Sequence, residues 1–221
     1  MAKFGEGREW CKGAPMLTVG KDAAHVERLL EDGFLVCPCC GGSLGPWGYA
    51  PERRVAGEDR RLRRVRPRRS RCKVCGGTRV LLPADLLVRR GDDVSVIGRV
   101  LADAARGHGH RRIAAALGRS EDTVRDWLRR FRGLAVRVRE GFTRLGYVLA
   151  PDPVPLEPAG SPLADAVVAV AAAADAAWSR WPAMRTLSAW EVAAAVTSGS
   201  LMSPAVMFSG SGDGSFAVAL I

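Results

Sequence analysis

The 221-residue sequence predicts a mainly α chain with a small β ribbon on its N-terminal side. Three observations predict it. Two C-x-x-C-G stretches, beginning at Cys37 and Cys72, bracket a segment dense in arginine and poor in apolar residues. From Val94 to about Val148 apolar residues recur at helical spacing between glycine breaks. Beyond a proline-rich stretch the chain turns alanine-rich, the composition of packed helices. The expected organisation is an N-terminal segment with one helix (1–33), the ribbon with its arginine-rich hairpin (34–82), a central three-helix unit (83–150), a linker (151–162) and a C-terminal helical region with a flexible tail (163–221).

Residues 1–15 show no period, and Met16 is an alternative start, which the mass of the native N-terminus would settle. Asp22 can cap a helix whose Ala23, Val26, Leu29 and Leu30 form an apolar stripe ending at Gly33. His25 on that helix has no partner at ligand spacing. The cysteine pairs follow. Two thiolates three positions apart on a tight turn can share one tetrahedral ion, and glycine lets the backbone turn beneath it. Cys37, Cys40, Cys72 and Cys75 are therefore the expected ligands of a structural Zn²⁺. An iron–sulfur centre is the alternative. Cys39 could replace a neighbour but cannot easily chelate the same ion as Cys40, and Cys11 should stay free. The region between the pairs is too poor in apolar residues for a core of its own, so the metal should supply much of its folding free energy.

Between the cysteine pairs, Gly57–Asp59 reads as a turn joining two strands. Arginines occupy both faces of the second strand, so neither can be fully buried. Pro67 makes that strand an edge or an irregular one. Such a hairpin is either a solvated arm or an arm laid along phosphates or a minor groove, with Arg64, Arg66 and Arg68 as its candidate DNA contacts. After a connector through Asp93, Val94, Ile97, Val100, Leu101, Ala104 and Ala105 form a supporting helix. His108 and His110 flank Gly109 without a third ligand nearby. In the stretch His110–Phe131, Ile113, Ala116 and Leu117 share one face, Gly118 closes the helix, and Ser120 caps the next one. Glu121 and Asp122 suit its positive N-terminus. Val124, Trp127, Leu128 and Phe131 face inward, and Thr123, Arg125, Asp126, Arg129 and Arg130 face outward. A further stripe, Leu134, Val138, Phe142 and Leu145, leaves open whether Gly133 breaks or bends the chain.

The pattern R-R-I-A-x-x-L-G-x-S-x-x-T-V-R-x-W-L resembles the helix-turn-helix of bacterial transposases. The ribbon is similar to the zinc ribbons that precede that unit in several such families. The resemblance covers roughly 34–131. It implies that the second helix enters a major groove, with Arg119, Glu121, Asp122, Arg125 and Arg129 touching bases or phosphates. Ser120 and Thr123 then serve as cap and phosphate residues, and Arg111 and Arg112, at the start of the first helix, are further candidate DNA contacts.

Charge supports a polyanionic partner. The net charge is +10, and residues 37–150 hold 26 basic against 11 acidic side chains, while both ends are slightly acidic. No apolar run of membrane length is free of charge, since Asp165 and Asp175 interrupt Leu163–Trp178. No secretory signal is visible, so a cytoplasmic protein with reduced cysteines and no membrane partner is expected. Pro151–Pro162 marks a boundary. The helices beyond, Leu163–Arg180 and about Leu187–Thr197, need a surface to cover, either their own chain or a second copy. Transposases cut DNA with clustered carboxylates that hold two divalent ions. The few acids after residue 131 have no strand pattern to seat them, so no enzyme activity is expected. The leading reading is a sequence-specific binder of double-stranded DNA, a transposition accessory factor associated with insertion elements or a transcriptional regulator. An RNA binder using the arginine ribbon and a degenerate transposase with residual nuclease activity are the alternatives.

Overall fold

The computed structural model describes residues 16–206 and Phe208. The expectations for residues 1–15, Cys11 included, and for the tail from Ser209 lie outside them. Two layers meet. The first is a four-stranded sheet in the order β1-β6-β5-β2, formed by β1 (Met16–Val19), β2 (Leu44–Tyr49), β5 (Arg68–Cys72) and β6 (Thr78–Pro83). β1 runs parallel to β6, with Leu17 opposite Leu81, while β2, β5 and β6 pair antiparallel. Helix α1 (Ala23–Glu31) starts where Asp22 Oδ1 accepts the Ala24 N–H at 2.9 Å. Its Val26 and Leu30 bury with Val19, Leu35, Leu44 and Leu81.

The segment 16–33, expected as a unit separate from the ribbon, thus supplies Val19, Val26 and Leu30 to the ribbon's core. The stretch between the cysteine pairs has too few apolar side chains, and β1 and α1 provide them. A second, two-stranded sheet carries β3 (Arg53–Ala56) and β4 (Leu62–Val65). Its turn closes with Gly57 N–H donating to the Arg61 carbonyl at 3.1 Å, as the sequence indicated.

The helical layer holds α2 (Val94–Ala105), α3 (His110–Leu117), α4 (Glu121–Arg132), α5 (Ala135–Leu149), α6 (Pro162–Arg180) and α7 (Ala189–Val196), with a 3-10 turn at Pro182–Thr186. Gly133 ends α4 in right-handed backbone, and a new helix begins two residues on, so the chain breaks there. The break at 151–162 is one of secondary structure and not of packing. Ile97, Leu101, Trp127 and Phe131 of the central unit share one core with Phe142, Ala169, Val170, Ala173 and Val192. The alanine stripe of α6 lets α5 and α2 approach closely, so the cover these helices require comes from their own chain.

By length and composition α6 is the one helix among the described residues that could cross a membrane. Its stripe Ala166, Ala169, Ala173 and Ala177 is instead wholly buried within the fold. At the α2–α7 crossing Gly98 admits the Trp190 ring, where a Cβ would lie 2.2 Å from Cγ. Ser188 and Glu191 form a capping box at α7. Lys21 Nζ meets Glu191 Oε1 at 2.7 Å, tying the ribbon to that helix.

Candidate nucleic-acid interface and metal centre

The cysteine pairs form two equivalent knuckles. In the first, Cys37 N–H donates to the Gly42 carbonyl at 2.8 Å and Gly41 N–H to the Cys37 carbonyl at 2.9 Å. In the second, Cys72 donates to Gly77 at 2.9 Å and Gly76 to Cys72 at 3.0 Å. Gly41 and Gly76 have φ of 67° and 71°, which a side chain rarely adopts. The knuckles place the sulfurs of Cys37, Cys40, Cys72 and Cys75 within 4.8 Å of one another. Cys37 Sγ lies 3.8 Å from Cys75 Sγ, and Cys40 Sγ 3.5 Å from Cys72 Sγ. Four thiolates at ~2.3 Å from a zinc ion would stand about 3.8 Å apart. The donor set therefore fits a tetrahedral, sulfur-preferring ion.

Burial raises the Cys72 thiol, but the backbone N–H groups of Cys75 and Val74 outweigh it and bring it down to about 7. The Gly42 backbone bond lowers Cys40, yet burial and the three neighbouring thiols carry it up to about 12. Proton loss is thus easier at Cys72 than at Cys40, although their sulfurs lie 3.5 Å apart, and binding a cation requires the ligand thiols to give up their protons. Cys39 is not one of the four. Arg79, which the sequence did not single out, is 3% exposed and places Nη2 3.7 Å from Cys37 Sγ. A buried guanidinium offsets part of the negative charge that four thiolates bring even around a divalent ion. An arginine four residues beyond the second cysteine pair is the signal, but inside an arginine-rich segment it does not stand out.

Helices α3 and α4 meet across Gly118, at φ 58° and ψ 42°. Ser120 Oγ accepts the Thr123 N–H at 3.2 Å and donates to Thr123 Oγ1 at 2.8 Å, so both residues are spent on the cap. Val124, Trp127, Leu128 and Phe131 are buried against Ile113 and Ala114. The opposite face is open: the Arg125 and Arg129 side chains are 64% and 75% exposed. Each is held by a carboxylate one turn back, Arg125 by Asp122 and Arg129 by Asp126. Arg129 and Arg130 together draw the Asp126 carboxyl down to about 2. Arg111 reaches Glu121 at 3.4 Å across the turn, and Arg112 is exposed.

Two expected DNA contacts are occupied elsewhere. Arg119 is 10% exposed, with Nε 2.7 Å from Asp92 Oδ1 and Nη2 2.7 Å from the Gly57 carbonyl. It ties the helix-turn-helix to the hairpin turn. Arg68 forks onto the Glu27 carboxylate at 2.8 and 2.9 Å and lies over the Tyr49 ring. It joins β5 to α1. Neither the family resemblance behind Arg119 nor the arginine density behind Arg68 carries information about a partner on another element. Arg64 remains exposed beside Glu52 at 3.5 Å, and exposed Arg66 stacks 5.1 Å over Tyr49.

The hairpin is a docked part of the interface rather than a free arm. Ala56 donates to the Gly91 carbonyl at 2.8 Å and accepts from Asp93 N–H at 3.0 Å. Arg63 bridges Asp85 and Asp93 at 2.6 and 2.5 Å. Burial raises the Asp85 carboxyl, opposed by the Arg63 charge. Arg60 lies so close over the turn that a Cβ on Gly118 would meet its Nη1 at 2.6 Å. Asp93 makes no side-chain cap bond at α2, because its carboxylate goes to Arg63, as that of Asp92 goes to Arg119.

A homeodomain-like domain family matches residues 93–143, which span α2, α3, α4 and the first half of α5. No curated protein and no solved structure matches the chain.

Proposed function

We propose that this chain is a sequence-specific DNA-binding protein that lays the outer face of α4 in a major groove. The observation that carries this reading is the coincidence of the homeodomain-like match with a helix-turn-helix whose open face holds Arg125 and Arg129. A guanidinium there can exchange its carboxylate for the O6/N7 edge of guanine, the commonest specific pairing. Arg111, Arg112, Glu121 and Asp122 stand at the same exposed end. The hairpin, fixed to the turn by Arg119 and to the connector and the start of α2 by Arg63, carries Arg64 and Arg66 as phosphate contacts. A Zn²⁺ held by Cys37, Cys40, Cys72 and Cys75 would stiffen the ribbon on which that hairpin is mounted.

By resemblance the role is that of a transposase-like targeting module associated with insertion elements, either an accessory factor or a transcriptional regulator. We read no nuclease chemistry into it: Asp165 is held by Arg139 and the Ala159 N–H, and Glu191 by Lys21 and its own cap.

The test begins by selecting bound duplexes from a random pool and measuring affinity by anisotropy across salt concentrations. Arg125→Ala or Arg129→Ala should cost about 1–3 kcal/mol on the selected site and relax discrimination at one position. Arg64→Ala should weaken all duplexes alike and reduce the salt slope by about one. Equal affinity for selected and scrambled duplexes at low salt would overturn the reading.

A further inference from the structure

A cleft of about 690 Å³ lies between the ribbon layer, the connector before α2, the chain after α7 and Arg130 of α4. Its floor is apolar, made by Met16, Val80, Leu82, Val88 and Met202. Four arginines reach it from three separate places: Arg53 from β3, Arg89 and Arg90 from the connector, and Arg130 from α4. Among the described residues no aspartate or glutamate lines it. A cavity of this size, mostly apolar with a few convergent polar groups, is the usual form of a small-molecule site.

We propose that this cleft binds a small amphipathic anion, a phosphate monoester or carboxylate carried on an apolar body.

Two of the arginines are fixed in place by backbone carbonyls, which sets where their charge lies. Arg53 spends Nη1 and Nη2 on the Leu87 carbonyl, at 3.3 and 3.2 Å, and Arg90 spends Nη2 on the Met202 carbonyl at 3.2 Å. The Nε atoms of both are buried without a hydrogen-bond partner among the described residues. Arg130 is fastened from its far side, Nε to Asp126 Oδ2 at 2.7 Å, which leaves its Nη groups uncommitted to that bond. Burial lowers Arg53, and burial followed by the neighbouring Arg130 charge lowers Arg90. The cleft therefore concentrates positive charge at a cost that a bound anion would relieve.

The backbone points the same way. Of the three non-glycine residues at positive φ among the described ones, two line this cleft, Arg89 at 58° and Ser198 at 47°. Backbone held in that region gathers at ligand sites, where surrounding structure enforces it. The apolar floor selects against inorganic phosphate alone, since burying it against a bare ion would leave the floor uncovered.

The test uses the full-length, metal-loaded protein and phenyl phosphate as probe, followed by isothermal titration calorimetry. Benzoate is the second anionic probe and benzyl alcohol the neutral one. One equivalent of phenyl phosphate or benzoate should bind saturably, and benzyl alcohol at the same concentration should not. Arg130→Gln and Arg90→Gln should each weaken phenyl phosphate at least tenfold, while Arg99→Gln, exposed on α2, should leave it unchanged. If Arg90→Gln does not fold, Arg130→Gln decides alone. Absence of saturable binding, equal binding of benzyl alcohol, or equal weakening by Arg99→Gln would each overturn the proposal.

Discussion

Replacing Arg119 by alanine should unfold more than it unbinds. The guanidinium makes two 2.7 Å bonds, one to the Asp92 carboxylate and one to the Gly57 carbonyl, at 10% side-chain exposure. Hydrogen bonds involving a charged group contribute about 1.5–3 kcal/mol each. Truncation also strands Asp92, whose side chain is 17% exposed, and stranding a buried partner is the larger part of such losses. Allowing for that residual solvent access, Arg119→Ala should cost about 3 kcal/mol, a sizeable share of a typical domain's stability. Arg119→Lys should recover less than half of it, because one ammonium cannot fork between the two acceptors.

Urea unfolding followed by circular dichroism measures the loss. Hydrogen exchange at the Ala56 amide, which donates across to Gly91, reports whether the hairpin lets go first. A double-mutant cycle with Asp92→Ala should return a coupling of about 1–3 kcal/mol. The reasoning would be refuted by a variant whose stability stays within ~0.5 kcal/mol of the parent while its discrimination between duplexes collapses. Arg119 would then face bases and not the hairpin.

Gly98→Ala should destabilise by up to about 2 kcal/mol in thermal melts. Overpacking against the Trp190 ring costs about 1–3 kcal/mol and alanine's helix preference returns about 1. Adding Trp190→Leu should recover the loss, and no recovery would place the strain elsewhere. Stripping the metal with a strong chelator should abolish the dispersed amide signals of the ribbon sheet while the helical circular dichroism of α2–α7 persists. A single cooperative loss of both would show that the layers fold as one. The Asp126 carboxyl, drawn down by Arg130 and Arg129, should titrate at about 2. Because its value is lowered on folding, its contribution is intact above the ordinary carboxylate range and disappears as pH falls through about 2. A carbon-detected titration with a midpoint near 4 would contradict the pairing.

Local chemistry alone determined much of this protein. Cysteines three apart followed by glycine specify a knuckle whatever surrounds them, because the turn closes within five residues and its own amides satisfy it. Gly118 and Ser120 specify a helix end and a helix start on the same grounds, and the inward face of α4 follows from its period. All of these are interactions between residues a few positions apart, where spacing and conformation are nearly the same information.

Tertiary structure decided the rest, wherever a side chain's partner lies far along the chain. Arg68 and Arg66 look alike in sequence, yet one is forked onto Glu27 from α1 and the other stacks, exposed, on Tyr49. Arg119 and Arg125 are both arginines of the helix-turn-helix, and only the hairpin's arrival at Gly57 separates the buried strut from the open guanidinium. The parallel pairing of β1 with β6 and the shared core across the proline-rich break have the same origin. Burial is a property of what packs on a residue from outside its own element, and periodicity within one element carries no trace of it.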